Sequence, residues 1–158
     1  MTTIPIHIIS KLRSPENKRV LEAVEELRAH GQLSDGTLKN IVLIHAHLEG
    51  ADLIKVNLEG AELWKANLKG AELLEANLKN AELIRANLQG ADLTRANLNG
   101  VDFWKTDLKG AKLIAVIVNA ETFIWGCEFD LQTDFTGMRM DLARIEPRMK
   151  ESLRTKVC

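Results

Sequence analysis

The feature that most constrains this chain is an apolar pattern that repeats every five residues from Ala46 onward. A leucine, or Phe103, occupies the centre of each unit, and an alanine, valine or threonine lies two residues earlier. On a helix, apolar positions 0, 2, 5 and 7 fall at about 0°, 200°, 140° and 340°, so they share no face. In a straight strand the same positions alternate between faces from one unit to the next. Neither regular element can bury this pattern.

A chain that turns a corner every five residues would point all of these side chains at one axis. Four such sides close a square coil of about 20 residues, and successive coils stack as parallel strands about 4.8 Å apart. The stacked hydrogen bonds and the continuous leucine and alanine core then outweigh the helix propensity of Ala, Leu, Glu and Lys. The pattern therefore predicts an all-β solenoid.

Units such as ADLIK at 51–55 and ANLKG at 66–70 resemble the pentapeptide-repeat proteins, whose motif is Ala-Asp/Asn-Leu-x-x. The resemblance covers roughly residues 36–120 and implies a right-handed quadrilateral parallel β-helix. We divide the chain into an N-terminal segment with a capping helix at 1–35, the β-helix at 36–137 (regular to about 120), and C-terminal capping helices at 138–158.

Both ends of a β-helix expose apolar side chains and unpaired strand edges, so we expect each end to be covered. Ser14 and Pro15 are a typical helix start, and Gly31 is a typical end, which predicts a helix over 15–30. Its predicted apolar side is formed by Val20, Leu21, Val24 and Leu27. At the other end, the spacing of Leu142, Ile145, Met149 and Leu153 predicts a short turn and a helix that begins near Pro147.

The repeat weakens after Asn119. Strict register would turn Glu121 inward, and an unpaired buried carboxylate is costly, so we expect a bulge or register slip there. Beyond it, Phe129 and Phe135 are expected to point inward from two irregular sides of the coil.

The sequence contains no constellation typical of an enzyme. His45 and His47 flank a predicted corner, but a third metal ligand is missing, so we expect two solvated rings. Phosphate-binding glycine loops and nucleophile motifs are absent from the sequence, and the glycines spaced ten apart are expected to turn corners. Cys127 and Cys158 are expected to be reduced thiols. We predict no catalysis, cofactor, metal or small-molecule substrate.

The chain has no apolar run of roughly 18 residues, and its first residues lack the basic region and cleavage site of a signal peptide. We therefore expect a cytoplasmic protein that does not contact a membrane.

The charge balance bears on the class of partner. Lys plus Arg number 21 and Asp plus Glu number 22, which argues against a nucleic-acid binder. The resemblance implies one alternative function, because some pentapeptide-repeat proteins bind DNA gyrase by mimicking DNA with an acidic rod. Residues 36–125 hold 11 acidic and 10 basic side chains, so this alternative is disfavoured here.

The surface of the predicted coil carries two apolar columns, because residues 20 apart stack. One column is Ile44, Trp64, Ile84 and Trp104, and the column on the opposite face is Ile54, Leu74, Thr94 and Ile114. The first is flanked by Glu62, Glu82 and Asp102 on one side and by Lys65, Arg85 and Lys105 on the other. Acids followed three residues later by bases are also typical of a solubilising charge pattern.

An apolar centre with a charged rim is typical of a protein interface, and tryptophan is enriched in binding hot spots. The other interpretation is that these large side chains only stack on one another along the sheet. The leading prediction is a non-catalytic interaction module that offers Ile44, Trp64, Ile84, Trp104, Lys65, Arg85 and Lys105 to a protein partner or to a second copy.

Overall fold

Two helices precede the repeats. The computed structural model describes residues 4–147, with helix α1 at Ile6–Leu12 and helix α2 at Asn17–Ala29. The helix predicted over 15–30 is therefore present as α2. It ends at the predicted glycine: Gly31 has a φ of +69°, and its N–H donates to the carbonyl of Arg28 at 2.9 Å. Helix α1 was not predicted.

The apolar side of the helices is buried in the same cluster as the first leucines of the coil. Val20, Val24 and Leu27 of α2 are at most 2% exposed. The guanidinium of Arg28 reaches the first coil, where it lies 2.6 Å from the carboxylate of Asp52. These contacts place α2 against the beginning of the repeats.

The repeats form the predicted square coil. Parallel bridges link residues 20 apart, from Val42 with Glu62 to Asn97 with Ile117, and a bridge occurs every five residues. Backbone bonds of about 3 Å join consecutive coils at each bridge, as between the N–H of Leu63 and the carbonyl of Glu82 at 2.9 Å. Four sides per turn are thus paired with the coil above and below.

The interior is the leucine and alanine stack that the period predicts. The central leucines from Leu48 to Leu113, with Phe103 among them, are at most 3% exposed. Each corner is a residue of left-handed conformation. Glycines spaced ten apart hold six of the sixteen corners from Asn40 to Ala115, as predicted, but residues with side chains, such as Lys65 (φ +55°) and Arg85 (φ +56°), hold the others.

A register slip follows Asn119, as predicted. Asp102 pairs with Phe123, so one residue is added to the 20-residue coil, and Glu121 is exposed. A second slip makes Lys112 pair with Asp134. Phe135 is buried at 3% exposure, and Phe129 is half-buried with its ring edge-on to Phe135. Both phenylalanines thus contribute to the interior as expected.

One prediction for the C-terminal region was wrong. The short turn predicted before Pro147 is a 3₁₀ helix at Met140–Leu142, but Ile145 lies in a strand. Strand β2 (Arg144–Ile145) pairs in parallel with strand β1 (Phe123–Ile124), so another side of the coil forms here. The reason is burial: Ile145 is 5% exposed above Ile124, and the N–H of Arg144 finds the carbonyl of Thr122 at 2.9 Å.

The helix predicted from Met149 and Leu153, and the thiol of Cys158, lie outside the described residues. Within residues 4–147, no helix is long and apolar enough to cross a membrane.

Candidate protein-interaction face

The predicted apolar column is formed, one member per coil. The carbonyl of Trp64 accepts the N–H of His45 at 2.9 Å, and the carbonyl of Trp104 accepts the N–H of Arg85 at 2.8 Å. The same ladder joins Lys65 to Ile84, so the sequence-predicted residues occupy consecutive levels of one side.

A fifth member of the column was missed. Trp125 accepts the N–H of Lys105 at 2.9 Å and therefore occupies the level above Trp104. Its ring stacks parallel to that of Phe123, with centroids 5.9 Å apart. The signal was available, because one residue inserted near Glu121 moves the next member from 124 to 125. All three tryptophans of the chain thus lie on one side of the coil.

We call this side the tryptophan face. It comprises the apolar column Ile44, Trp64, Ile84, Trp104 and Trp125, the acidic row Glu62, Glu82 and Asp102, and the basic row Lys65, Arg85 and Lys105.

The column is open to solvent at several levels. Trp64 is 42% exposed, Ile44 41% and Trp125 40%, whereas Ile84 and Trp104 are half-buried. On the opposite face, the members Ile54, Leu74, Thr94 and Ile114 are all half-buried. The tryptophan face therefore presents the larger exposed apolar side chains of the two columns.

Charged groups of the face hold the indole rings in place. The Nζ of Lys105 lies 4.6 Å from the ring centroid of Trp104, and the Cζ of Arg85 lies 5.4 Å from it, which are cation–π distances. The indole N–H of Trp64 donates to the carboxylate of Glu82 in the next coil. These contacts restrict the orientations of the two rings.

Between the two rings, the face is concave. A shallow depression of about 230 Å³ is lined by Trp64, Lys65, Ile84, Arg85 and Trp104. Its floor is the smaller Ile84, which lies between two indoles. The structure thus gathers five of the seven predicted interface residues around one depression, with Ile44 below it and Lys105 against the ring of Trp104.

The ionic pairing differs between the two faces. On the opposite face, Lys55 and Arg95 lie 3.6 and 4.0 Å from the carboxylate of Glu75, and Lys112 lies 3.0 Å from that of Asp92. The pairs join neighbouring coils and not residues three apart, because stacked residues are closest. On the tryptophan face, each row has a single sign. Within residues 4–147, none of these six charged groups has an ion-pair partner.

Three other side chains bear on metal or thiol chemistry, namely His45, His47 and Cys127. His45 and His47 are both exposed, and no group of three metal-ligating side chains occurs among the described residues. Cys127 is an unpaired thiol near the carbonyl of Phe103, and burial raises its pKa to about 12. That thiol is protonated at neutral pH, which leaves it a poor nucleophile.

Comparison with known proteins bears on the repeat region. A family model described as pentapeptide repeats matches residues 37–73 and 76–113 in eight copies. The chain is a pentapeptide-repeat protein. No protein with a curated description matches it. The right-handed sense of the coil, which the resemblance implies, stays a prediction.

Solved structures of other pentapeptide-repeat proteins are similar to this one. The protein Rfr23 of the cyanobacterium Cyanothece 51142 is 36% identical with a TM-score of 0.40, and the match covers 61% of this chain and 62% of that one. A protein of the Arabidopsis thaliana thylakoid lumen is 23% identical with a TM-score of 0.48, over 75% of this chain and 74% of its own. QnrB1, a plasmid-mediated fluoroquinolone resistance protein, is 14% identical with a TM-score of 0.42, over 68% and 69%.

Proposed function

We propose that this pentapeptide-repeat protein is a non-catalytic interaction module that binds a protein through the tryptophan face. The observation that carries the proposal is the alignment of three tryptophans on one side of a coil. Trp64 and Trp125 are 42% and 40% exposed there, and Trp104 is held under two cations. Fixed aromatic side chains around a depression, with charges at the rim, are the usual composition of a protein-binding hot spot.

The absence of catalysis is part of the proposal. It is supported by the protonated state of the Cys127 thiol and by the exposure of His45 and His47 at a corner. We likewise propose that the protein works in the cytoplasm without a cofactor, a small-molecule substrate, a nucleic acid or a membrane as its ligand.

DNA mimicry is not favoured as the function. A mimic of the phosphate backbone needs uninterrupted negative charge along the rod. Here Glu75 and Asp92 of the opposite face are paired with Lys55 and Lys112, and the acidic row of the tryptophan face runs beside a basic row.

The first prediction concerns capture of a protein partner. The full chain is immobilised and exposed to a lysate of its source cells as wild type and as the variant Trp64→Glu, Trp104→Glu. We expect the variant to capture at least about tenfold less of the partner, because two hot-spot side chains that become buried on binding contribute more than about 2 kcal/mol.

The matched control is Leu74→Glu, Ile114→Glu, which places the same two charges in the opposite column. It should capture the partner as the wild type does, and circular dichroism should report folded coils for both variants. Equal capture by the wild type and the tryptophan variant would contradict the proposal.

A further inference from the structure

We propose that the tryptophan face binds a second copy of this chain, with the two rods side by side and parallel, related by a two-fold axis along the rod. This inference rests on the proposed function and names the partner of the same face. It is carried by the arrangement of the charges on that face.

First, the charged rows of the tryptophan face lack ion-pair partners among residues 4–147 of one chain. Like charges on adjacent strands of a sheet destabilise it, and here three carboxylates stack in one row and three cations in another. The opposite face also stacks Asp52, Glu72 and Asp92, but cations of neighbouring coils offset part of the repulsion there, since Glu75 lies between Lys55 and Arg95 and Lys112 pairs with Asp92. A partner that sets an opposite charge against each row would relieve the repulsion.

The second step identifies that partner by its geometry. At the three middle levels of the face the chain runs acid, then tryptophan or isoleucine, then base, as in Glu62, Trp64 and Lys65. The acidic and basic rows therefore flank the column on its two sides. The complementary surface must present an apolar column between a basic and an acidic row, with the spacing of stacked coils. The same face of a second copy has all of these features.

The third step selects the orientation. Consider two copies whose tryptophan faces meet and that are related by a two-fold axis parallel to the rod. The rotation exchanges the left and right edges of the face, while each coil stays at the same height along the rod. The acidic row of one copy then lies against the basic row of the other, and each tryptophan meets its own equivalent. In an antiparallel pair the rows keep their sides, so acids would face acids and bases would face bases. Charge complementarity therefore favours the parallel dimer.

The size of the face sets the expected strength. Five levels about 4.8 Å apart give a face about 24 Å tall, which buries less than about 1,200 Å² in total. Interfaces of this size are usually transient. We therefore expect a dissociation constant of about 10 to 100 µM.

The second prediction is a weak dimer that salt weakens. Sedimentation equilibrium on the full chain, from about 10 µM to about 500 µM, should show a monomer–dimer equilibrium. Its dissociation constant should rise roughly tenfold between about 50 mM and 500 mM NaCl, since the rows attract in the parallel pair and salt screens them. An antiparallel pair would show the opposite salt dependence, because screening would relieve its repulsion.

Charge reversal tests the pairing of the rows. One variant carries Lys65→Glu, Arg85→Glu and Lys105→Glu, and the other carries Glu62→Lys, Glu82→Lys and Asp102→Lys. Each should be monomeric alone, and a one-to-one mixture should form heterodimers, which also shows that both variants fold. Lys69→Glu, Lys79→Glu is the control for added negative charge, because these lysines lie on the two sides of the coil that adjoin the tryptophan face, and it should dimerise as the wild type does.

Cross-linking tests the orientation. In a Cys158→Ser background, Ile44→Cys at one end of the column meets its own copy only in the parallel pair. A short bis-maleimide should therefore join two such chains. A dimer without this cross-link, or one that salt strengthens, would overturn the parallel arrangement.

The same experiments separate the two proposals. A wild type that stays monomeric at about 500 µM would overturn self-association. If its capture of a lysate protein were still lost in the Trp64→Glu, Trp104→Glu variant, the interaction function would stand with a different partner. If the Trp64→Glu, Trp104→Glu variant still dimerised and still captured the lysate protein as the wild type does, both proposals would be contradicted.

Discussion

The corners of the coil show how single residues accommodate a strained backbone. A left-handed conformation costs a residue with a Cβ roughly 1 kcal/mol or more, and Lys65, Glu75 and Arg95 all adopt it. The hydrogen-bond ladder favours it, because the N–H of such a corner donates to the coil above, as Lys65 does to Ile84 at 2.9 Å. Glycine is therefore favoured at corners but is strictly needed only where a Cβ has no room.

The third prediction distinguishes those two situations. Gly60 and Gly70 both have positive φ values, +69° and +63°. A Cβ at Gly60 would clash with the Oδ1 of Asn40, whereas a Cβ at Gly70 would meet nothing within 4 Å. Gly70→Ala should lower the free energy of unfolding by about 1 kcal/mol. Gly60→Ala should lower it by about 1 kcal/mol more, because Asn40 must leave its rotamer.

Urea denaturation of the two alanine variants measures both values. The pair differs only in the neighbour of the new methyl group, so Gly70→Ala is the control for backbone strain. Equal losses would mean that the Asn40 side chain moves aside without cost.

At the scale of the element, the two register slips use one device. Asn119 and Thr122 form the first, and Asp130 and Thr133 form the second. In each, a carboxyl or amide oxygen accepts a backbone N–H of the coil below, that of Gly100 at 3.0 Å or Gly110 at 2.9 Å. In the regular coils a backbone carbonyl has that role, as for Gly90. A side chain thus replaces the carbonyl that the inserted residue displaces.

The fourth prediction compares two buried threonines. Thr106 only donates, to the carbonyl of Leu83 at 2.7 Å, and that carbonyl also accepts the N–H of Ala86. Thr122 donates to Leu98 at 2.8 Å and also accepts the N–H of Asn119 at 3.1 Å. Thr122→Val leaves that N–H without its acceptor, so it should lower the free energy of unfolding by about 2 kcal/mol.

Thr106→Val is the matched control, because valine already occupies the same inward position at Val56 and Val101. It should change the free energy of unfolding by less than about 1 kcal/mol. The prediction fails if thermal or urea unfolding gives the two valine variants the same stability.

The register slips also mark the limit of what could be predicted from the sequence. A single dominant period predicted the regular coils, their core and four members of the apolar column, because every residue of a repeat has the same environment. Strict register would have buried the carboxylate of Glu121, which predicted that a slip occurs. It did not predict at which residue the regular pairing starts again, so Trp125 was missed. Ile145 was assigned to the short turn of a C-terminal cap because its spacing from Leu142 fits a helix, and only pairing with β1 makes it a strand.

At the scale of the whole molecule, the coil is a one-dimensional stack in which each turn contacts only its neighbours. Stability in such a stack depends on what covers its ends, since a terminal turn has one neighbour fewer. At the beginning of the repeats, Val24 and Leu27 of α2 are buried with the first leucines, and Arg28 bonds to Asp52. Nearest-neighbour contacts of this kind predict that damage to α2 acts first on the coils next to it.

The fifth prediction is that Leu27→Asp opens the coil from its N-terminal end. Leu27 is fully buried, and a carboxylate there would detach α2 from the repeats. Hydrogen exchange should then speed up at the amides of Leu48 and Leu58 and change little at that of Leu88, two coils further along. Glu25→Ala, on the exposed side of α2, is the control and should leave all three amides as protected as before. Equal loss of protection at all three amides would instead mean that the coils unfold as one unit, and α2 would then stabilise the whole rod and not only its first turn.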